Sequence, residues 1–169
     1  MAKIKLVLLD VDGVLTDGRL LYGPDGDFGR GFHVRDGSAI KLAQRAGLPV
    51  GIISGRTVPA VARRAEELGL SEVHQGRRRK EPAWDEILAR RGLDDDEVAF
   101  MGDDYLDVPV LRRAGLAAVP KDAAEDALRV AHWTSSRPGG AGCVRELLET
   151  LLRWRGAWND AVESDLAAD

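Results

Sequence analysis

The stretch KLVLLD, residues 5–10, constrains this chain more than any other feature. Its apolar residues run on without a break. A strand with one wet face alternates instead, because successive side chains point to opposite sides. An unbroken run needs cover on both faces, as in a parallel sheet between two layers of helices. PVGIIS (49–54) is a second run of this kind, and EVAFMG (97–102) and LAAVP (116–120) read as further strands.

Helical patterns lie between these runs. DGSAIKLAQRAGL predicts a short helix closed at Gly47. In TVPAVARRAEELG, residues Val58, Val61, Ala62, Ala65 and Leu68 fall on one helical face, with Gly69 as the C-cap. EPAWDEILARRG predicts a helix with Trp84, Ile87 and Leu88 turned inward. YLDVPVLRRAG predicts one interrupted or started near Pro109. Short helices over about 122–130 and 141–153, with minor strands at EVH (72–74) and AHW, complete the order. Alternating strands and helices predict an α/β protein with a central parallel sheet. Residues 18–34 hold two short apolar runs around GPDGD, the pattern of a β-hairpin. The segment after 155 has weak patterning and is expected to be loosely ordered unless it docks on a partner. The expected organisation is one domain over 1–155 and a tail over 156–169.

The bulk numbers exclude several classes. With 169 residues, 44% of them hydrophobic, the chain can build one core. A net charge of −4 argues against a nucleic-acid binder, which carries a basic face. A single cysteine, Cys143, leaves no intramolecular disulfide. No apolar run approaches the roughly 18 residues of a membrane span. The start, MAKIKLVLLD, enters a strand directly, and a cytoplasmic location is expected.

The chemistry gathers where strands end. In an open parallel sheet, ligands bind beyond the carboxyl ends of the strands. There the first run places Asp10 and Asp12, the second Ser54, Gly55 and Arg56, and a later one Asp103 and Asp104. Asp10, Asp12 and Asp103 together suit a hard cation such as magnesium, which takes oxygen ligands and often shares them with a substrate phosphate. Ser54 offers a hydroxyl to that phosphate, the Gly55 amide can approach closely, and Lys80 adds a compact charge near a helix start. One carboxylate can attack phosphorus while a second protonates the leaving alcohol and later activates water. Asp10 and Asp12 would point to opposite faces of a strand, so serving one substrate requires a turn between them. Gly13 fits such a turn.

Each piece alone has a plainer explanation. Two acids after a strand are usually solvated, and Ser54 suits a helix N-cap equally well. RRRK (77–80) is most simply a solvated charge run for Arg77, Arg78 and Arg79, and DDDE (94–97) a solvated turn. The scattered histidines make a histidine metal site improbable, and the tryptophans read as packing residues. What outweighs these explanations is the occurrence of all the pieces, in order, at successive strand ends.

That ordered set resembles the haloacid dehalogenase superfamily of phosphotransferases. LLDVDGVLTDG looks like its first motif, IISGR its second, Lys80 its third and MGDDYLD its fourth. The resemblance implies a three-layer, Rossmann-like fold. It makes Asp10 the nucleophile and Asp12 the general acid/base, with Ser54 and Lys80 on the phosphoryl group. Magnesium would be held by the Asp10 carboxylate, the Asp12 backbone carbonyl and the Asp103 carboxylate, with Asp104 and Asp107 supporting them. FHVRDG (32–37), DDYLDVPV (103–110) and RPGGAGCVRE (137–146) are similar to the capless branch that includes phosphatases of eight- and nine-carbon keto-deoxy sugar acids. His33 and Cys143 depart from the residues usual there.

Spacing agrees with a protein lacking a cap domain. Between Asp12 and Ser54 there is room for a hairpin and one helix only, so nothing within the chain covers the site. Relatives in this branch form tetramers built through the hairpin, which implies a homotetramer whose neighbouring subunits supply the lid. Arg35 and Arg56 are candidates for the substrate carboxylate, bound bidentately, and equally for interface salt bridges. RPGGAG is either a loop near the site mouth or a turn before the last helix. The expected activity is magnesium-dependent hydrolysis of 3-deoxy-D-manno-octulosonate 8-phosphate through an aspartyl-phosphate, in lipopolysaccharide precursor synthesis. The alternatives are a nine-carbon sialic-acid-type 9-phosphate, broad phosphatase specificity, or a non-catalytic oligomerisation domain. The last is disfavoured because Asp10, Asp12, Ser54, Lys80 and Asp103 are all retained.

Overall fold

A computed structural model describes residues 3–24 and 26–167. Asp25, in the turn expected at GPDGD, lies outside the described residues, as do residues 1–2 and 168–169. The unbroken apolar runs become the middle of a six-stranded sheet. These are β1 (Leu6–Leu9), β4 (Val50–Ile53), β6 (Val98–Met101) and β7 (Leu116–Val119), every residue of them buried. Two shorter strands, β5 (Glu72–His74) and β8 (Trp133–Thr134), form the edges. The order is β5-β4-β1-β6-β7-β8, all parallel. The sheet grows outward in both directions from β1 and β6, which makes the crevice between their carboxyl ends the switch point.

Alternate residues of β1 feed two cores. Val7 and Leu9 pack under α1 (Val34–Arg45), α2 (Pro59–Leu68), α6 (Cys143–Trp154) and α7 (Trp158–Leu166). Leu6 and Leu8 pack under α3 (Glu81–Arg91), α4 (Val108–Leu111) and α5 (Glu125–Leu128). Each such side chain, fully buried, contributes about 1.5–3 kcal/mol. That burial fixes β1 and with it the position of Asp10. The three-layer fold expected from the sequence is present, with no cap domain among the described residues. Strands β2 (Leu21–Gly23) and β3 (Gly26–Gly29) form a separate antiparallel pair, the expected hairpin.

Three expectations change. Ala62 is exposed, and Val58, Val61, Ala65 and Leu68 alone make the buried face of α2 and its N-cap. DDDE is more than a solvated turn, because the Asp95 carboxylate accepts from Trp84 Nε1 at 2.7 Å and from the Arg113 guanidinium. The weakly patterned tail forms α7. Its Trp158 and Ala161 join the core beside α1 and α6, and the Arg145 and Arg153 guanidinia stack on the Trp158 ring at 4.7 and 5.3 Å. No described helix is long and apolar enough to cross a membrane.

Candidate active site

A cleft of about 420 Å³ opens at the switch point. It is lined by Asp10, Asp12, Ser54, Gly55, Arg56, Arg78, Lys80, Asp103, Asp104, Leu106 and Asp107. Apart from Arg35, every site residue expected from the sequence is in that set.

The floor is a buried ion network. β1 ends at Leu9, and the Asp10 N–H donates to the Met101 carbonyl at 2.8 Å, which ties Asp10 to β6. Lys80, at the N-cap of α3 and 3% exposed, places Nζ 2.7 Å from Asp10 Oδ1. The same ammonium pairs with Asp107 Oδ1. Asp107 Oδ2 accepts the N–H groups of Asp103 at 2.9 Å and Asp104 at 3.2 Å. Asp107 thus links Lys80 to the loop carrying Asp103. Asp104 caps the short turn that follows, accepting from the Tyr105 N–H at 2.7 Å.

The charges in this network are out of balance. Burial pushes Asp10 up to about 6; Lys80 opposes the shift and Asp107 adds to it. Burial, then the charges of Asp10 and Asp107, push Asp103 up to about 8. Burial alone would lower Lys80, but Asp10 and Asp107 more than reverse this and hold its ammonium above the ordinary value. Oxygens of Asp10, Asp103 and Asp107 lie within 4.8 Å of one another. The buried Asp103 Oδ1 has no hydrogen-bond partner. Crowded carboxylates with an unpartnered oxygen fit a divalent cation, which would supply the missing charge. Both Asp107 oxygens are already engaged, which suits support rather than ligation. Asp10 and Asp103 are the carboxylates that could ligate such a cation.

The loop after β1 makes the required turn. Gly13 has φ +95, and a Cβ there would collide with the Asp103 carboxylate, so this position needs glycine on both counts. Buried Thr16 shapes the loop. Its hydroxyl donates to the Val11 carbonyl and accepts the N–H groups of Gly13 at 3.4 Å and Gly18 at 3.2 Å. Gly139 and Gly140 press against this loop closely enough that a Cβ on either would clash with its backbone. RPGGAG is therefore a packed turn before α6. The outcome brings Asp12 into the same cleft as Asp10.

Asp12 is oriented from the hairpin. Arg30 Nε, just after β3, donates to Asp12 Oδ1 at 2.6 Å, and Arg56 Nε stands 3.7 Å from Oδ2. Ser54, 2% exposed, does not cap α2, whose N-cap is Val58. Its hydroxyl accepts from the Arg56 N–H at 3.3 Å and lines the cleft. Arg35 lines a different cavity with His33, Arg137 and Arg145, outside the cleft of its own chain. Two arginines at the site escaped sequence reasoning, one lining the cleft and one holding Asp12 from outside its lining. Arg78 was assigned to a solvated run, and Arg30 carried no signal beyond its place at the hairpin base.

The chain was also compared with known proteins. It is 36% identical to 3-deoxy-D-manno-octulosonate 8-phosphate phosphatase KdsC of Escherichia coli K12 over 158 residues, 94% of this chain and 84% of that relative. It belongs to that phosphatase family, within the haloacid dehalogenase superfamily. The Moraxella catarrhalis family member, solved with magnesium, phosphate and its sugar acid, aligns with a TM-score of 0.93 at 33% identity, covering 96% of this chain and 94% of the other. The cobalt-bound Haemophilus influenzae enzyme aligns with a TM-score of 0.90 at 35% identity, covering 93% and 92%. No family model matches the chain.

Proposed function

We propose that this chain is a magnesium-dependent phosphatase that hydrolyses 3-deoxy-D-manno-octulosonate 8-phosphate. The observation that carries it is the convergence of Asp10, Asp12, Lys80 and Asp103 on one cleft, with an unpartnered oxygen on Asp103. The named family members support the sugar-acid substrate.

An Asp10 oxygen attacks phosphorus as the bond from phosphorus to the sugar oxygen breaks, and Asp12 gives that oxygen its proton. Asp12 then takes a proton from water, whose oxygen displaces Asp10 and releases inorganic phosphate. Lys80 and Ser54 hold the phosphoryl oxygens, and Arg30 keeps Asp12 aimed at the leaving group. The Asp10 and Asp103 carboxylates and the Asp12 backbone carbonyl would hold magnesium. When bound, the metal neutralises the clustered carboxylates and polarises the phosphoryl group.

The same reading includes a homotetramer closed over the cleft by neighbouring hairpins. Leu21 and Tyr22 on β2 are 50% and 69% exposed, apolar surface that suits a contact between subunits. The deciding experiment is phosphate release from the eight-carbon and nine-carbon sugar-acid phosphates and from an aryl phosphate, with magnesium, with chelator and with Asp10→Asn. Magnesium- and Asp10-dependent preference for the eight-carbon ester is expected. Equal weak turnover of all three would remove the substrate assignment.

A further inference from the structure

Among the basic residues 77–80, one differs from its neighbours. Arg77 pairs with Glu86 at 3.9 Å, Arg79 with Glu81 at 3.4 Å, and Lys80 with Asp10 and Asp107. Arg78 has no ion pair among the described residues, and it alone of the three arginines lines the cleft.

Its backbone is fixed there. The Arg77 N–H donates to the Ser54 carbonyl at 2.8 Å, and the Gly76 N–H to the Arg56 carbonyl at 3.1 Å. These bonds tie the loop before α3 to the loop after β4, and Arg78 Cα lies 3.7 Å from where a Cβ on Gly55 would stand.

The cleft lining holds five aspartates and three cations. Lys80 lies within the floor network, and Arg56 faces Asp12. A sugar-acid phosphate brings two anionic groups at opposite ends. With its phosphate on the floor, its carboxylate meets the mouth, where the surrounding aspartates repel it. An arginine fork without a protein carboxylate is the group that can receive it bidentately.

We propose that Arg78 is a specificity residue that binds the carboxylate of the substrate at the cleft mouth. This rests on the phosphatase reading above, and its test separates the two. Three esters are compared: the eight-carbon sugar-acid phosphate, 6-phosphogluconate, and glucitol 6-phosphate. The last two share a six-carbon chain and differ in ending in a carboxylate or an alcohol. The wild type is expected to favour 6-phosphogluconate over glucitol 6-phosphate in kcat/KM. Arg78→Ala and Arg78→Gln should raise KM for both carboxylate-bearing esters by about tenfold, the loss of one charge-assisted contact, with kcat retained. They should leave glucitol 6-phosphate unchanged. Arg78→Lys should restore part of the loss, and Arg77→Ala should change nothing. If the six-carbon esters turn over too slowly, their competition against an aryl phosphate gives the same comparison. Equal losses on both six-carbon esters, no loss on either, or no wild-type preference between them would overturn the assignment. An eight-carbon ester handled no better than 6-phosphogluconate would instead overturn the proposed substrate, with Arg78 still judged by the six-carbon pair.

Discussion

The floor and the mouth of the cleft are built differently. On the floor, Asp10, Lys80 and Asp107 are buried and each answers another's charge. At the mouth, Arg56 and Arg78 are exposed, and Arg78 meets no carboxylate of the described chain. In the proposed mechanism the floor would hold the reacting phosphoryl group, which needs fixed charges in a site with little water. The mouth would meet the variable part of the proposed substrate and leaves charge free for it. Chemistry here is held by packing, and selectivity by what packing leaves uncommitted.

The hardest blow to that contrast is Lys80→Met. It removes the shared counter-charge of two buried carboxylates. Activity should fall by about 10²–10³-fold, as when a single donor to the reacting group is lost. Stability should fall by about 3–5 kcal/mol, measured by urea unfolding, because the remaining buried charges lose their partner. A stable variant would show that the floor is wetter than its geometry implies.

Arg30→Ala sits between the two regions and should act more gently. Asp12 loses its 2.6 Å orienting contact but keeps its place in the loop. A decrease in kcat of about tenfold is expected, within the range of a misdirected general acid. Magnesium affinity should stay constant. Loss of magnesium binding would instead assign Arg30 to shaping the loop.

The smallest effect separates the regions by titration. In the metal-free protein, Asp10 at about 6 and Asp103 at about 8 lie above their ordinary 3.8. Between roughly pH 4 and pH 8 the folded chain therefore binds more protons than the unfolded one, and raising pH lowers stability. The melting temperature without magnesium should fall across that window. Saturating magnesium, by satisfying the ionised carboxylates, should flatten the fall. A metal-free melting temperature that rises from pH 5 to pH 8 would contradict the burial of both groups.

The floor was legible in the sequence because its chemistry dictates residue types at strand ends, and unbroken apolar runs reveal the strands. Asp10, Asp12, Ser54, Lys80 and Asp103, read from the residues themselves, all reach one cleft, and Asp107, implied by the family resemblance alone, joins them. The mouth was not. Arg30 and Asp12 lie 18 residues apart, and nothing local says that the hairpin folds back to bring them together. Arg78 looks like its neighbours in sequence, and differs only in having no glutamate within reach. The same limit hid α7, where a single tryptophan under two arginines supplies what periodicity lacks. Arg35 lines another cavity of its own chain, and the motif that carries it does not say whether it serves this cleft or a neighbouring subunit's.

The turn formed by Gly139 and Gly140 has a consequence for how the protein comes into being. The Gly140 N–H donates to the Val14 carbonyl at 2.9 Å, and Cys143 Sγ reaches the same carbonyl from 129 residues away in sequence. A nascent chain that has emerged only to residue 136 already carries every residue that lines the cleft, yet lacks the surface that sets the loop bearing Asp12. Contacts of such long sequence separation form late. During synthesis the enzyme should thus stay silent until its last helices have left the ribosome.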